Sequence, residues 1–113
     1  MTFEAFDVVT VPFPFVDRAQ SKRRPAVVLS SARFFNSAAG HSVFAMITSS
    51  KNEPWPLDML IGDLADAGLH APCVVRMKFF TLDNRLVLAR IGSLSSADRE
   101  SLLVSVRQVF DYL

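Results

Sequence analysis

Apolar residues along the chain fall in short dense blocks separated by polar stretches that carry proline, asparagine or glycine. This rhythm predicts strands everywhere except at the C-terminus. Val8-Val9-Thr10-Val11 is β-branched throughout and stops at Pro12-Phe13-Pro14, where prolines cannot donate to a ladder. That predicts a first strand and then an extended loop running to about Arg24. Pro25-Ala26-Val27-Val28-Leu29-Ser30 reads as a second strand with proline at its first position, and 31–36 as a short helical turn. The run 42–49 is too densely apolar for simple alternation, which predicts a third strand buried on both faces. A shorter fourth strand is expected over 57–61 after Pro54-Trp55-Pro56, then a loop with one helical turn over 62–72. Residues 73–82 and 86–91 read as a hairpin turning at Asp83-Asn84-Arg85. Ser95 opens a helix, with Asp98 in capping-box spacing. Leu102, Val106, Val109 and Leu113 form one stripe, with Leu103 and Phe110 beside it.

Five or six short strands and one terminal helix make a mainly β (α+β) fold: a small, strongly bent sheet or partial barrel with the helix over exposed core. A chain of 113 residues fits one domain, 1–113, with no internal repeat. Half the residues are hydrophobic and the mean hydropathy is +0.29, high for a domain with so much surface to cover, so some apolar surface is expected to meet a partner, the alternative being an unusually rich monomer core. A net charge of +1 excludes a polycationic binding strategy and leaves local patches to do any nucleic-acid work. Cys73 has no disulfide partner, and His41 and His70 stand far apart, so neither a metal site nor a cofactor is expected. Acids at Glu4 and Asp7, and the lack of an apolar run of about 20 residues, argue for a cytoplasmic protein with no signal peptide and no membrane span.

Three pieces carry candidate chemistry: Lys22-Arg23-Arg24, the hydroxyl run Thr48-Ser49-Ser50 with Lys51, and Phe13-Pro14-Phe15. Taken singly, each has a bland reading as a solvated turn, a turn former or core. Together they suit a phosphodiester. RNA carries its own nucleophile, the 2′-hydroxyl, so a protein need only align it, neutralise the phosphorane and move protons. An arginine fork can hold two phosphate oxygens, and a threonine hydroxyl can donate one more hydrogen bond. Dependence on the 2′-hydroxyl would also exclude DNA.

Phe6-Asp7-Val8-Val9-Thr10-Val11-Pro12-Phe13-Pro14-Phe15, Lys22-Arg23-Arg24-Pro25-Ala26-Val27-Val28-Leu29-Ser30 and Ala45-Met46-Ile47-Thr48-Ser49 resemble, in order and spacing, successive motifs of the MazF/PemK (Kid-like) toxins. Val75-Arg76-Met77-Lys78-Phe79-Phe80-Thr81 and Ile91-Gly92-Ser93-Leu94-Ser95 extend the resemblance over nearly the whole chain. It implies an SH3-like β-barrel of five to seven strands with a C-terminal helix, and a homodimer. It also implies metal-independent, sequence-selective cleavage of single-stranded RNA to 2′,3′-cyclic phosphate and 5′-hydroxyl ends. A cognate antitoxin would block the cleft, and operator DNA would be reached only through that antitoxin. The family's catalytic arginine and threonine fall on Arg24 and Thr48. Lys22, Arg23, Ser49 and Lys51, with Phe15 as a stacking face, are the expected RNA grip.

Two departures stand out. Phe6 occupies the place before Asp7 where the family usually has glycine, a change expected to touch the approach to the first strand and not the cleft. The 17–20 loop offers nothing to match to base-reading residues. An arginine pKa above about 12 makes a poor base, so Arg24 is expected to act as an electrostatic clamp, with His41 as a candidate proton carrier. Two other readings share the fold: a gyrase poison of the CcdB kind, whose Trp-Gly-Ile ending this chain lacks, and an antitoxin-binding module that no longer cleaves.

Overall fold

The computed structural model describes residues 2–13 and 22–113; Phe15 and the 17–20 loop lie outside them. The strands are β1 (Asp7–Phe13), β2 (Lys22–Val28), β3 (His41–Ser49), β4 (Met59–Leu60), β5 (Cys73–Asp83) and β6 (Ala89–Ser93). Between β2 and β3 a π-helical turn, Ala32–Asn36, runs into α1 (Ser37–Ala39). Helix α2 (Leu64–Ala67) precedes β5, and α3 (Ser96–Val109) ends the order. All pairings are antiparallel, in the order β4-β5-β3-β2-β1-β6.

The expected hairpin of 73–82 with 86–91 does not form, because β5 and β6 are not neighbours. β5 is committed to β3 along its length, from Cys73 opposite Ser49 to Asp83 opposite His41. At its end Asp83 caps a 3-10 turn, Asn84–Leu86, by accepting from the Arg85 N–H at 2.8 Å. The chain then crosses to β1, where the Leu88 N–H donates to the Thr10 carbonyl. In a flat sheet β5 and β6 would stand four strand spacings apart, about 19 Å. A connection that includes a 3-10 turn spans only about 16 Å, so the sheet must curl to bring them together.

Curling puts apolar residues to work on both faces, as expected for the third strand. Val8, Val27, Ala45, Ile47 and Val75 pack beneath Leu102 of α3 and Ala67 of α2. Val9, Val11, Ala26, Val28 and Phe44 fill the opposite face with Phe3 and Leu82. Several boundaries differ from expectation: β4 is only Met59–Leu60 within the expected 57–61, β6 starts at Ala89 and not at 86, and two others flank the site. β1 runs through Pro12, tolerated because beyond Thr10 this strand has β2 on one side and no β6 on the other. β2 begins at Lys22, so the basic triplet lies in a strand and not in the loop.

The N-cap of α3 forms as expected, the Ser95 hydroxyl accepting from the Asp98 N–H at 3.2 Å. The Asp98 carboxylate does not return to Ser95. Its two oxygens accept from the Gly62 and Asp63 N–H groups, each at 2.9 Å, and tie the segment before α2 to the helix. The buried stripe is narrower than expected: Leu102 is fully buried and Phe110 stacks on Phe79 at 5.5 Å, while Val109 is exposed and Leu113 lies beyond the helix end. Phe6 adopts the left-handed backbone (φ 73) that glycine favours. It is held there by its N–H to the Val28 carbonyl, by the Leu94 N–H to its own carbonyl, and by the Arg99 guanidinium over its ring. No described helix is long and apolar enough to cross a membrane.

Candidate functional site

The site begins with a ladder that stops. β2 and β3 pair through Val28 with Phe44, Val27 with Ala45 and Ala26 with Met46, and no further. The same register would set Pro25 against Ile47 and Arg24 against Thr48. Proline has no N–H to give a ladder, and the pairing ends where it stands. Beyond that point β2 stays with β1, Arg24 opposite Val11 and Lys22 opposite Phe13. β3 meanwhile stays with β5 as far as Ser49. A cleft of about 530 Å³ opens between the separated strands. Arg24 and Pro25 are on one bank, Thr48 and Ser49 on the other, and Phe13, Asn52 and Cys73 also line it.

Strand alternation explains why these side chains share a face. Val11, Ala26 and Phe44 lie on the face that also carries Phe13, Arg24, Met46 and Thr48, and this face is buried core at one end and open cleft at the other. The Arg24 side chain is exposed and makes no hydrogen bond or ion pair with the described residues. The Thr48 hydroxyl accepts from Asn52 Nδ2 at 2.6 Å. Burial pushes the Cys73 thiol up, so near neutral pH it is protonated and no nucleophile.

Phe13, Met46 and Thr48 also line a second cleft of about 420 Å³, with Arg76, Lys78 and Phe79. A β-bulge between Ala45 and Met46 leaves Met77 and Lys78 unpaired between Arg76 and Phe79 and bends β5 around this cleft. Arg76 is held to the loop before β4, donating from Nε and Nη2 to the Asp58 carboxylate at 3.2 and 3.0 Å and from Nη2 to the Glu53 carbonyl at 2.8 Å. The Trp55 ring faces both cations, with Lys78 Nζ 4.8 Å from its centroid. Burial raises the Asp58 pKa, but the Arg76 hydrogen bond and the Trp55 N–H outweigh it and hold the carboxyl below its ordinary value. A depressed folded-state pKa contributes stability that is present above the unfolded value near 4 and lost as pH falls through the folded one. Asp58→Asn is therefore expected to lower the melting temperature at pH 7 and to flatten its fall between about pH 4 and 2. Thermal melts across that range check this; parallel curves for the two proteins would contradict it.

Arg24, Thr48 and Ser49 come together at the cleft. Lys22 shares the Arg24 face, opposite Phe13, whereas Arg23 alternates to the other face opposite Pro12. Lys51 is exposed on the turn after β3, its N–H donating to the Ser49 hydroxyl at 3.2 Å. Phe15 lies outside the described residues. His41 is at the far end of β3, about 23 Å of strand from Thr48, with Nδ1 3.1 Å from the Ala39 carbonyl, so it is no proton carrier for this cleft. Sequence reasoning missed Asn52, Arg76 and Lys78. The last two stand two apart in a β-rich run, a spacing that puts both on one face of a strand. Among the described residues no three His, Cys, Asp or Glu side chains gather as a metal-ligand set.

The model of the PemK-like, MazF-like toxins of type II toxin–antitoxin systems matches residues 4–110. The chain belongs to this family. The fold agrees. MazF (Form-I) from Deinococcus radiodurans superposes with a TM-score of 0.75 at 19% identity, over 98% of each chain. The MazE-MazF (Form-III) structure from the same organism gives 0.77 at 18%, again over 98% of each. An endoribonuclease in complex with its cognate antitoxin from a mycobacterial species gives 0.74 at 12%, over 97% of this chain and 94% of that one. No curated protein compared with the chain matches it.

Proposed function

We propose that this toxin is a metal-independent endoribonuclease that cleaves single-stranded RNA in the cleft between β2 and β3. The observation that carries the reading is the placement of Arg24 and Thr48 as would-be register mates on opposite banks of that cleft. A phosphate between them would meet a permanently charged fork on one side and a hydroxyl on the other. Attack by the adjacent 2′-hydroxyl on phosphorus, with departure of the 5′-oxygen, leaves a 2′,3′-cyclic phosphate and a 5′-hydroxyl. Negative charge builds on the phosphorane oxygens, where Arg24 clamps it and Thr48 donates a hydrogen bond. Lys22, Ser49 and Lys51 supply further contacts to the RNA, Phe15 a stacking face, and the aromatic floor of the second cleft suits an unstacked base, while Arg23 on the other face of β2 is left out of this grip.

In this reading the curled sheet is an SH3-like barrel, and the cleft is what a cognate antitoxin occupies. Exposed Leu103, Val104 and Val109 on α3, with Tyr112 and Leu113 beyond it, supply apolar surface for a homodimer. Sedimentation at micromolar concentration is expected to give the dimer mass, and a monomer would contradict it. The decisive experiment is incubation of a long single-stranded RNA with the protein in EDTA, with matched DNA alongside, followed by end-group analysis. Cleavage of RNA only, with cyclic-phosphate ends, is the expected result. Intact RNA, or cleavage that needs a divalent metal, would overturn the reading.

A further inference from the structure

We propose that Asn52 is a positioning residue that sets the direction of the Thr48 hydroxyl. The inference rests on the reading of Thr48 as a donor to the scissile phosphate. A threonine hydroxyl has one proton and two lone pairs, and on a strand its rotor is free to aim the proton elsewhere. Asn52 Nδ2 donates to Thr48 Oγ1 at 2.6 Å and so fills one lone pair. The hydroxyl proton must then point away from Asn52, and the cleft that both residues line is the open space beside it. A chain of hydrogen bonds also polarises its members, so the donated bond makes the Thr48 O–H a stronger donor.

The turn that presents Asn52 is fixed at three points. Its own N–H donates to the Ser49 carbonyl at 3.1 Å, and the Lys51 N–H to the Ser49 hydroxyl at 3.2 Å. The Ser50 N–H donates to the Pro72 carbonyl at 3.1 Å. A side chain four residues after Thr48 is thereby held over it without belonging to the strand. Asn52 is exposed, so exchanging it should leave the fold intact.

A double-mutant cycle on single-turnover RNA cleavage tests this. Asn52→Ala is expected to lower the rate constant about 3- to 10-fold, the worth of one neutral hydrogen bond, with little change in the half-saturating protein concentration. In the Thr48→Ala background the same substitution should cost less than about twofold, because its only route is through Thr48. Asn52→Asp keeps the shape but can only accept, so it should draw the Thr48 proton inward and cost more than alanine, again only when Thr48 is present. Wild-type rates in Asn52→Ala, or equal losses in both backgrounds, would overturn the assignment while leaving the ribonuclease reading intact. Undiminished cleavage by Thr48→Ala would remove the reading of Thr48 and this inference with it. Melting temperatures within a degree of wild type confirm that rates and not folding are compared.

Discussion

Arg24→Ala is expected to abolish most RNA cleavage, with a fall of about 100- to 1000-fold in the rate constant, the usual cost of removing one preorganised group from a developing oxyanion. Its stability should change by less than about 0.5 kcal/mol, since the side chain is exposed and unpaired among the described residues. Arg24→Lys separates the two roles an arginine could play. A clamp replaced by a point charge loses the fork and keeps the charge, so activity should fall less than in the alanine variant, with the pH–rate profile unchanged in shape. An arginine that moved protons would contribute a limb to that profile, and the limb would shift or vanish in Arg24→Lys. Cleavage by Arg24→Ala within threefold of wild type would dismiss both roles.

Asn36→Ala is expected to be strongly destabilising, by about 3 kcal/mol or more, lowering the melting temperature by roughly 10 °C. Asn36 is fully buried. Its Oδ1 accepts from the Ser30 hydroxyl at 2.5 Å, and its Nδ2 donates to the Phe3 and Ser30 carbonyls at 2.8 and 3.0 Å. The Ser30 hydroxyl in turn accepts from the Val43 N–H, and the Asn36 carbonyl accepts from Asn84, whose Oδ1 takes the Ser42 hydroxyl. Truncation strands several of these groups away from water, where each unmade bond costs about 1–3 kcal/mol. The network sits at the His41 end of β3, remote from the cleft, so the folded fraction should cleave normally. A loss under 1 kcal/mol in denaturant titration would show that water or neighbouring groups take over.

Asn36 also marks a limit of sequence reading. In the sequence it closes a helical turn like any polar residue, and nothing near it in the chain announces Phe3, Ser42 or Asn84 as its surroundings. The same limit explains the hairpin that does not form. Residues 73–82 and 86–91 are both strand-forming, but propensity is silent on partners, and an Asp-Asn pair suits a capped 3-10 turn as well as a hairpin. Pro25 shows the converse. Its place at the start of the second strand was legible, yet the strand runs three residues further back, and what Pro25 marks is the limit of two-sided pairing, which begins at Ala26. Asp98 had the spacing of a capping box but spends its carboxylate on a segment 35 and 36 residues away.

The sequence by itself determined the strand-rich architecture with a capped terminal helix, the family, and the residue types that could meet a phosphate. All of these are written in local composition, in periods of two and 3.6, and in motif order. Only the tertiary structure decided that Arg24 and Thr48 face each other across a gap, that Asn52 holds the Thr48 hydroxyl, that Arg76 and Lys78 border the same face, and that His41 lies at the other end of β3. Each of those facts depends on which strands pair and in what register. Pairing is a long-range choice made by burial and hydrogen bonding over the whole sheet, and no window of neighbouring residues contains it.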